Sequence, residues 1–445
     1  MIGISFFKTY KTSVLAILLS CFLYYFLAFE VIRANFNSLI LSFTAVFLLF
    51  IYLTKQNLNW KLLIGISFLF RMLFLLATPN LSQDFYRFIW DGRMLLNGLN
   101  PYLYLPENHA AFNFTLPQQT NALLNGMGNL NASHYSNYPP LNQLCFFIAA
   151  LFAKNSILGS LVVFRIMLLA ADVGIIYFGR KLLLSFNLQP KLIFLYILNP
   201  FVIIELFGNL HFEGVMIFFL LWSLFLLQQQ KWKWAAVIFA CSVSLKLLPL
   251  LFLPLFFKHF KTKKLIGFYA IIGSCFLLSF LPFLSEEAIL HFSKSIGLWF
   301  GTFEFNGSFY LLASEISNHF LGWHPTKIIG KITPVLVILF VLYQAFINKE
   351  KNTKSLITRL LFALSFYLFT AATVHPWYVA MLLLLSVFTQ YKFALLWSFT
   401  IMFSYSFYQN NAFTNNYWWI GLEYGLVFGL LIWEVFKHKK REALQ

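Results

Sequence analysis

The stretch SQDFYRFIWDGRMLLNGLNPY, residues 82–102, follows a long apolar segment and begins a long polar one. Residues 84–97 predict a helix in which Asp84, Arg87 and Asp91 fall at positions i, i+3 and i+7, on one face. A short charged helix beside an apolar segment indicates a loop held against a membrane. The pattern therefore predicts a membrane protein whose polar chemistry is concentrated in this loop.

The sequence also predicts where this helix ends and which residues form its apolar face. Gly98 is a natural stop, and Asn100-Pro101 predicts a turn. The apolar residues of the segment would let the helix lie on a membrane surface. They are Phe85, Phe88, Ile89, Leu95 and Leu96.

Two interpretations of the charged face remain open from position alone. In the first, Asp84, Arg87 and Asp91 form a ladder of ion pairs that only secures the loop. In the second, Asp84 is a general base, because it begins the helix and lies close to the membrane.

The whole composition predicts an all-α polytopic membrane protein. Of the 445 residues, 60% are hydrophobic and only 11% are charged, whereas a soluble protein has about a quarter charged residues. Repeated apolar runs of about 17–25 residues indicate 12–14 membrane spans. These runs lie near 12–32, 37–54, 61–78, 157–179, 191–207, 213–229, 234–257, 264–283, 328–347, 356–373, 376–390, 392–409 and 418–436.

The basic residues orient the predicted spans. The net charge is +17, but most Lys and Arg fall in short loops between apolar runs, which is positive-inside topology and argues against nucleic acid as a partner. This orientation leaves residues 79–142 outside. It makes 141–153 a helix lying at the outer surface, and it makes 234–257 a broken pair of short helices that turns near Lys246.

Most of the remaining polar residues then fall on the outer face, which predicts an outward-facing cavity. The outer segments are 79–142, GNLHFEG (208–214), 284–308, HPWY (375–378) and QNNAFTNNYWW (409–419). Two of these turns carry His211 with Glu213 and His375 with Trp377. Each turn alone is compatible with ordinary polar residues at the membrane interface. Because both turns lie on the same side as Asp84, however, they favour a shared site.

Five polar residues lie within the apolar runs: Arg71, Arg165, Asp172, Glu205 and Lys246. Each costs roughly 2.5–3.5 kcal/mol to insert, so each needs a partner or a cavity. Lys246, beside a predicted proline break, is the best candidate to hold an anion, although snorkelling or simple ion pairing would also explain it. Arg165 and Asp172 lie two turns apart on one helix and are compatible with a purely architectural role.

No pattern favours a metal site. The four cysteines lie in apolar runs without a CxxC pair, and no HxxxH or DxD motif occurs. Asp84 is preceded by Gln83 and not by a second acid. We therefore expect no metal ligands and no cofactor.

The residues of 82–102, followed by YPPL (138–141), resemble the first outer loop of the GT-C glycosyltransferases. The closest similarity is to bacterial polyprenyl-phosphate-mannose-dependent mannosyltransferases, which carry an acid, YR, WDGR and G-x-NPY in this order. NLHFEG and SLKLLPLLFLP resemble the outer turn and the Lys-Pro hairpin of the lipid-linked glucosyltransferase branch, and the whole similarity covers about residues 60–310. The resemblance implies a GT-C fold in which surface helices of the first loop cap an outward cavity, with Asp84 at the position of the catalytic aspartate.

The resemblance also implies the reaction and its participants. A sugar, mannose by this similarity, would pass from a polyprenyl-phosphate carrier to a lipid or glycan acceptor with inversion and without a metal. Substrate or donor phosphate would bind at residues of the same side. These are Arg87, Asp91, Arg93, His211, Glu213, Lys246, His375 and Trp377.

The predicted organisation is a single domain over 1–445. It comprises a catalytic module at 61–310, including the outer loop 79–142, and a C-terminal helical module at 311–445. The predicted location is a bacterial inner membrane with the site facing the periplasm or exterior. A lipid-linked sugar transporter or flippase and a non-catalytic relative remain alternatives.

Overall fold

The chain is all helical over the residues that the computed structural model describes: 4–114, 117–298, 304–321, 326–347, 352–411 and 413–443. In this part of the chain the extended structure is limited to a single bridge between Phe305 and Thr373. The α-helices are α1 Ile4–Phe29, α2 Phe36–Lys55, α3 Trp60–Met72, α4 Asp84–Leu96, α5 Thr120–Ala132, α6 Pro140–Ala153, α7 Ile157–Ser185, α8 Phe194–Ile197, α9 Glu213–Gln228, α10 Trp232–Leu245, α11 Thr262–Ser279, α12 Glu286–Leu298, α13 Phe309–Leu321, α14 Thr326–Ile347, α15 Thr353–Thr370, α16 Val379–Val387, α17 Phe393–Thr400 and α18 Tyr417–Ala443. Shorter segments are 3₁₀-helical at Pro106–Ala111, Pro190–Ile193, Leu248–Phe256, Leu281–Phe283, Pro376–Tyr378 and Ile401–Asn411, and π-helical at Val202–Gly208.

Six helical segments within the described residues are long and apolar enough to cross a membrane. They are Lys11–Phe29, Phe36–Lys55, Ile157–Ser185, Thr262–Phe283, Gly330–Ile347 and Tyr417–Lys440. A seventh candidate is a broken span, Pro190–Ile197 followed by Val202–Gly208, bent by 63°. The predicted all-α polytopic membrane fold is confirmed. The count of 12–14 spans also includes shorter apolar helices such as α9 and α10, and their depth in a membrane stays a prediction.

The predicted break near Lys246 is present. Helix α10 ends at Leu245, and Lys246 has extended backbone angles, φ −147° and ψ 139°. A 3₁₀ segment, Leu248–Phe256, follows it. Pro249 lacks a backbone N–H and therefore disfavours a continuous α-helix at this point. The break holds the Lys246 side chain where two short helices meet instead of within a regular helix.

Helix α4 has nearly the predicted bounds, and its apolar face is covered by protein. Phe88 is buried and stacks on Phe146 of α6, with ring centroids 4.7 Å apart. Gly92 allows this close packing, because a Cβ atom there would lie 2.2 Å from the backbone oxygen of Phe146. Gly98 follows the helix with φ +73°, the left-handed conformation that suits glycine. Helix α4 is thus fixed against α6, which also orients its first residue, Asp84.

A buried ion pair joins the membrane helices below this loop. Arg71 Nε of α3 lies 2.6 Å from Asp172 Oδ2 of α7, and Arg71 Nη1 also donates to the carbonyl of Ile197 in the broken span. Arg165 of α7 donates to the backbone oxygens of Leu75 and Gly208. These contacts give each of the three buried charges a partner in another part of the chain. Arg71, Arg165 and Asp172 are therefore architectural residues.

We expect Arg71→Met to lower the free energy of unfolding by about 3–5 kcal/mol, because Asp172 would be left buried without its partner. Thermal unfolding in detergent measures this loss. The double variant Arg71→Met/Asp172→Leu should recover much of it, since the apolar pair needs no compensation. A double variant no more stable than Arg71→Met would contradict the assigned ion pair.

Candidate active site

Four of the five predicted outer segments contribute residues to one cavity of about 610 Å³, whereas no described residue of 409–419 lines it. Asp84 begins α4 at its wall, and the turns before α9 and α16 contribute Glu213 and His375. The break after α10 contributes Lys246. Trp377 also lines the cavity, so five of the predicted site residues share it. Long-range folding thus brings together residues that are nearly 300 positions apart in the chain.

Asp84 presents its carboxylate to the cavity with one direct side-chain partner. Asn131 Nδ2 donates to Asp84 Oδ1 over 3.2 Å. Burial raises the pKa of Asp84, whereas the nearby Lys246 charge and the Asn131 hydrogen bond oppose this rise. A carboxylate with a raised pKa and one hydrogen bond can accept a proton from a substrate hydroxyl group.

Lys246 is paired inside the cavity. Its Nζ lies 2.9 Å from Glu213 Oε1, and it also lies 5.4 Å from the ring centre of Tyr138. The Glu213 side chain is only 3% exposed, whereas that of Lys246 is 24% exposed. The ion pair therefore compensates a buried carboxylate and leaves one side of the ammonium group open to the cavity.

A stack of rings forms the wall beside Lys246. The His211 ring lies 3.6 Å from that of Trp377, which lies 4.5 Å from that of His375. Phe305 continues the stack at 5.1 Å from His375. Burial and the Lys246 charge lower the pKa of His375 to about 3 and that of His211 well below its usual value. Both imidazoles are therefore neutral at pH 7 and can donate or accept hydrogen bonds.

His211 lies behind this wall and does not line the cavity. It is 1% exposed, and its Nε2 is 3.8 Å from Glu205 Oε2. Glu205 Oε1 accepts a hydrogen bond of 2.8 Å from the hydroxyl of Tyr405, which does line the cavity. His211 thus supports Trp377 from the protein side.

Arg87 and Asp91 belong to a separate buried network. Arg87 Nε lies 2.7 Å from Asp91 Oδ1, and Arg87 Nη1 donates to the backbone oxygens of Asn131 and His134. Asp91 also accepts from Ser136 Oγ over 2.5 Å. The Arg87–Asp91 part of the predicted ladder therefore forms, and it fixes the segment that carries Asn131. Asp84 is not part of this ion pair, and its carboxylate accepts a hydrogen bond from Asn131 instead.

Arg93 also faces away from the cavity. It donates to the backbone oxygen of Gln118 and, over 3.1 Å, to Gln119 Oε1. Gln119 has a left-handed backbone, φ 60°, immediately before α5. These contacts hold α5 against α4.

Sequence reasoning missed several cavity residues, chiefly Arg33 in the turn between α1 and α2. The guanidinium lies 4.1 Å from the ring centre of Tyr408, and its Nη2 donates to Gln83 Oε1 over 3.3 Å. A signal for Arg33 existed, because it is a single arginine in the short gap between the apolar runs 12–32 and 37–54, and not part of a basic cluster. Asn131, Tyr405 and Tyr408 carried no comparable signal.

One wall of the cavity is apolar. The 3₁₀ segment after Lys246 contributes leucines, and the facing part of α14 contributes small and branched residues. They are Leu247, Leu248, Leu250, Leu251, Gly330, Pro334, Val337 and Ile338. The cavity therefore has a charged end and an apolar end, which suits an amphiphilic ligand.

The predicted outer segment 284–308 and the residues after it are described only in part. Residues 299–303 lie outside the described residues, while Phe305 and Tyr310 line the cavity. Over the same described residues, no three His, Cys, Asp or Glu side chains come together as a metal-binding group.

Comparison with known proteins identifies a relationship over the first part of the chain. Residues 25–260, just over half of the chain, match the family model "Alpha-(1->6)-mannopyranosyltransferase, N-terminal domain". The chain is also similar to alpha-(1->6)-mannopyranosyltransferase A of Mycobacterium tuberculosis, with 24% identity over 144 residues. That alignment covers 32% of this chain and 26% of the relative. Asp84, Glu213 and Lys246 lie within the matched region, whereas His375 and Trp377 follow it.

We expect Arg87→Met to destabilise the protein and Asp84→Asn to leave its stability nearly unchanged. Arg87→Met should cost about 3–5 kcal/mol, because Asp91 would remain buried without its ion-pair partner. Asp84→Asn should leave stability nearly unchanged, since Asp84 has no ion pair to lose. Thermal unfolding of both variants in detergent gives the comparison. Equal losses would contradict the division between a structural and a cavity carboxylate.

Proposed function

We propose that this chain, which belongs to the alpha-(1->6)-mannopyranosyltransferase family, is an integral-membrane enzyme. It transfers mannose from a polyprenyl-phosphate carrier to a hydroxyl group. The observation that carries this proposal is the cavity itself. It joins a carboxylate, Asp84, and two cations, Lys246 and Arg33, to an apolar wall. A lipid-linked sugar phosphate has these same parts: a reacting sugar, an anion and a hydrocarbon tail.

The proposed reaction is a single inverting displacement. The acceptor oxygen forms a bond to the anomeric carbon while the bond from that carbon to the phosphate oxygen breaks. Asp84 accepts the proton of the acceptor hydroxyl group, and the polyprenyl phosphate leaves with the bonding electrons. One carboxylate is sufficient, because no covalent sugar intermediate forms.

The leaving group requires stabilisation of negative charge. Cationic side chains and hydrogen-bond donors can supply it in a cavity of low dielectric constant, and we propose that no divalent ion is needed. Lys246 keeps one side open to the cavity, and the neutral His375 can donate a hydrogen bond. Activity that survives chelation by EDTA is expected.

The apolar wall suggests where the lipid tail lies. Leu250 belongs to the 3₁₀ segment Leu248–Phe256 and Val337 to α14, two neighbouring elements that both line the cavity, and Leu247 directly precedes the 3₁₀ segment. A tail between these elements would place the phosphate near the break at Lys246. The acceptor, a lipid or a glycan, would then approach from the side of Asp84 and the outer loop.

The proposed location is a bacterial plasma membrane with the cavity on the periplasmic or exterior side. The inner loops are basic, including the KHFKTKK segment at 258–264. Turns that contain Arg33, Asp84 and His375 line the cavity, and the predicted topology assigns them to the opposite side from these basic loops. A reporter fused to the loop at 258–264 should therefore be cytoplasmic.

Asp84→Asn should reduce mannose transfer by about 10²- to 10⁴-fold, the usual contribution of a general base. The test incubates purified protein with polyprenyl-phosphate mannose and follows the glycosylated product. Glu107→Gln is the matched control, because Glu107 is an exposed acid of the same outer loop. Wild-type turnover by Asp84→Asn would refute the base assignment, and a wild-type protein that moves the donor without forming a glycosidic bond would indicate a transporter.

The pH dependence follows from the raised pKa of Asp84. Because transfer needs the ionised carboxylate, kcat/KM should fall as the pH drops through this pKa, earlier than an exposed aspartate would cause. Asn131→Ala removes a hydrogen bond that favours the ionised form, so its acid limb should lie at higher pH. The pH–rate profiles of the two proteins measure the shift. An unchanged or lower acid limb in Asn131→Ala would contradict the role of Asp84.

A further inference from the structure

The two cations of the cavity differ in how their charges are compensated. Lys246 is 2.9 Å from the buried carboxylate of Glu213. Arg33 instead donates to a neutral amide, Gln83 Oε1, at 3.3 Å. Among the cations that line the cavity in the described part of the chain, only Arg33 lacks a carboxylate partner.

Arg33 is held in place by contacts that leave its charge available. The Tyr408 ring supports the guanidinium at 4.1 Å, and the adjacent residue, Ala34, accepts a backbone hydrogen bond of 3.2 Å from Asn410. Both contacts come from the Ile401–Asn411 segment. A guanidinium has five N–H donors, and only one is used in the bond to Gln83. The side chain is therefore oriented and has donors available for a ligand.

The position of Arg33 suits an anion that reacts beside Asp84. Gln83, its hydrogen-bond partner, directly precedes Asp84 in the chain. Arginine matches the paired oxygens of a phosphate better than lysine does, because its planar fork can donate two parallel hydrogen bonds. The leaving phosphate gains negative charge during transfer, from one charge as a diester to about 1.5–2 charges as a monoester.

We propose that Arg33 is the principal binding residue for the phosphate of the lipid-linked donor, while Lys246 mainly compensates Glu213. This inference rests on the proposed function for the identity of the donor. It implies that Gln83 matters because it is neutral. An acid at this position would pair with Arg33 and remove the charge that the phosphate needs.

The binding test compares farnesyl phosphate with farnesol, which share a tail and differ in the phosphate. Titration of the purified protein in detergent should show tighter binding of farnesyl phosphate, by about 10- to 100-fold. Arg33→Gln should abolish this preference, and Arg33→Lys should keep part of it. Arg180→Gln is the matched control, because Arg180 also lies over an aromatic ring, that of Trp60, but does not line the cavity.

Position 83 supplies a second test that does not remove Arg33. Gln83→Glu and Gln83→Leu both lose the donor that contacts the backbone oxygen of Met127. Only Gln83→Glu places a carboxylate beside Arg33. We expect Gln83→Glu to weaken farnesyl phosphate binding about tenfold, by pairing with Arg33, and Gln83→Leu to retain the phosphate preference.

Several outcomes would overturn the assignment. The phosphate site would be assigned to Lys246 if folded Arg33→Gln kept the wild-type preference for farnesyl phosphate. The same conclusion would follow if Lys246→Met lost that preference while Arg33→Gln kept it. Equal competition by phosphatidylglycerol would show that any lipid phosphate binds there.

The phosphate site and the proposed reaction can also be separated. If the wild type transfers no mannose but Arg33→Gln still loses the preference for farnesyl phosphate, the proposed reaction fails and the phosphate site stands.

Discussion

A buried charge must be compensated, and the Lys246–Glu213 ion pair meets this constraint at the point where α10 ends. The break exposes Lys246 to a cavity, and Glu213, at the start of α9, balances it over 2.9 Å. Without the pair, one of the two charges would lie nearly buried and uncompensated. The meeting of α9, α10 and the following 3₁₀ segment therefore fixes both the floor of the cavity and the charge within it.

The same constraint separates the charged residues of the chain into structural and reactive groups. Arg71–Asp172 and Arg87–Asp91 are closed, buried ion pairs that join helices or hold a loop. Asp84, by contrast, has an amide partner, and so has Arg33. In a cavity of low dielectric constant, groups with neutral partners keep most of their charge for a ligand. Asp84 and Arg33, which are proposed to accept the proton and to bind the phosphate, are both left without an ion pair.

The aromatic wall shows how support and chemistry are combined. His375 and Trp377 face the cavity, and His211 stacks behind them with Glu205 at its other edge. Because burial keeps both imidazoles neutral, the wall adds hydrogen-bonding groups without adding charge. Among the described residues that line the cavity, the charged side chains are then Asp84, Glu213, Lys246 and Arg33.

Local patterns in the sequence predicted the long apolar helices and α4 and grouped five of the nine predicted site residues, but they did not predict α5, α12 or α13. Hydropathy predicted the polytopic fold, the helical spacing after Ser82 predicted α4, and the prolines after Lys246 predicted the break. Positive-inside topology placed the turns of Asp84, Glu213 and His375 on one side, where a cavity does join them. These features follow from periodicity, backbone chemistry and loop charge, which act over a few residues.

Only the tertiary structure decided which charge meets which partner. Glu213 and Lys246 both appeared to be ligands for phosphate, but they lie against each other, and Arg87 and Asp91 turn to the loop near Ser136. The contact of Arg33 with Tyr408 spans most of the chain. Such pairings depend on how helices pack across the whole domain, and no spacing within a helix encodes them. The sequence thus determined the set of candidate residues, and the packing of the helices decided which of them remain without an ion-pair partner.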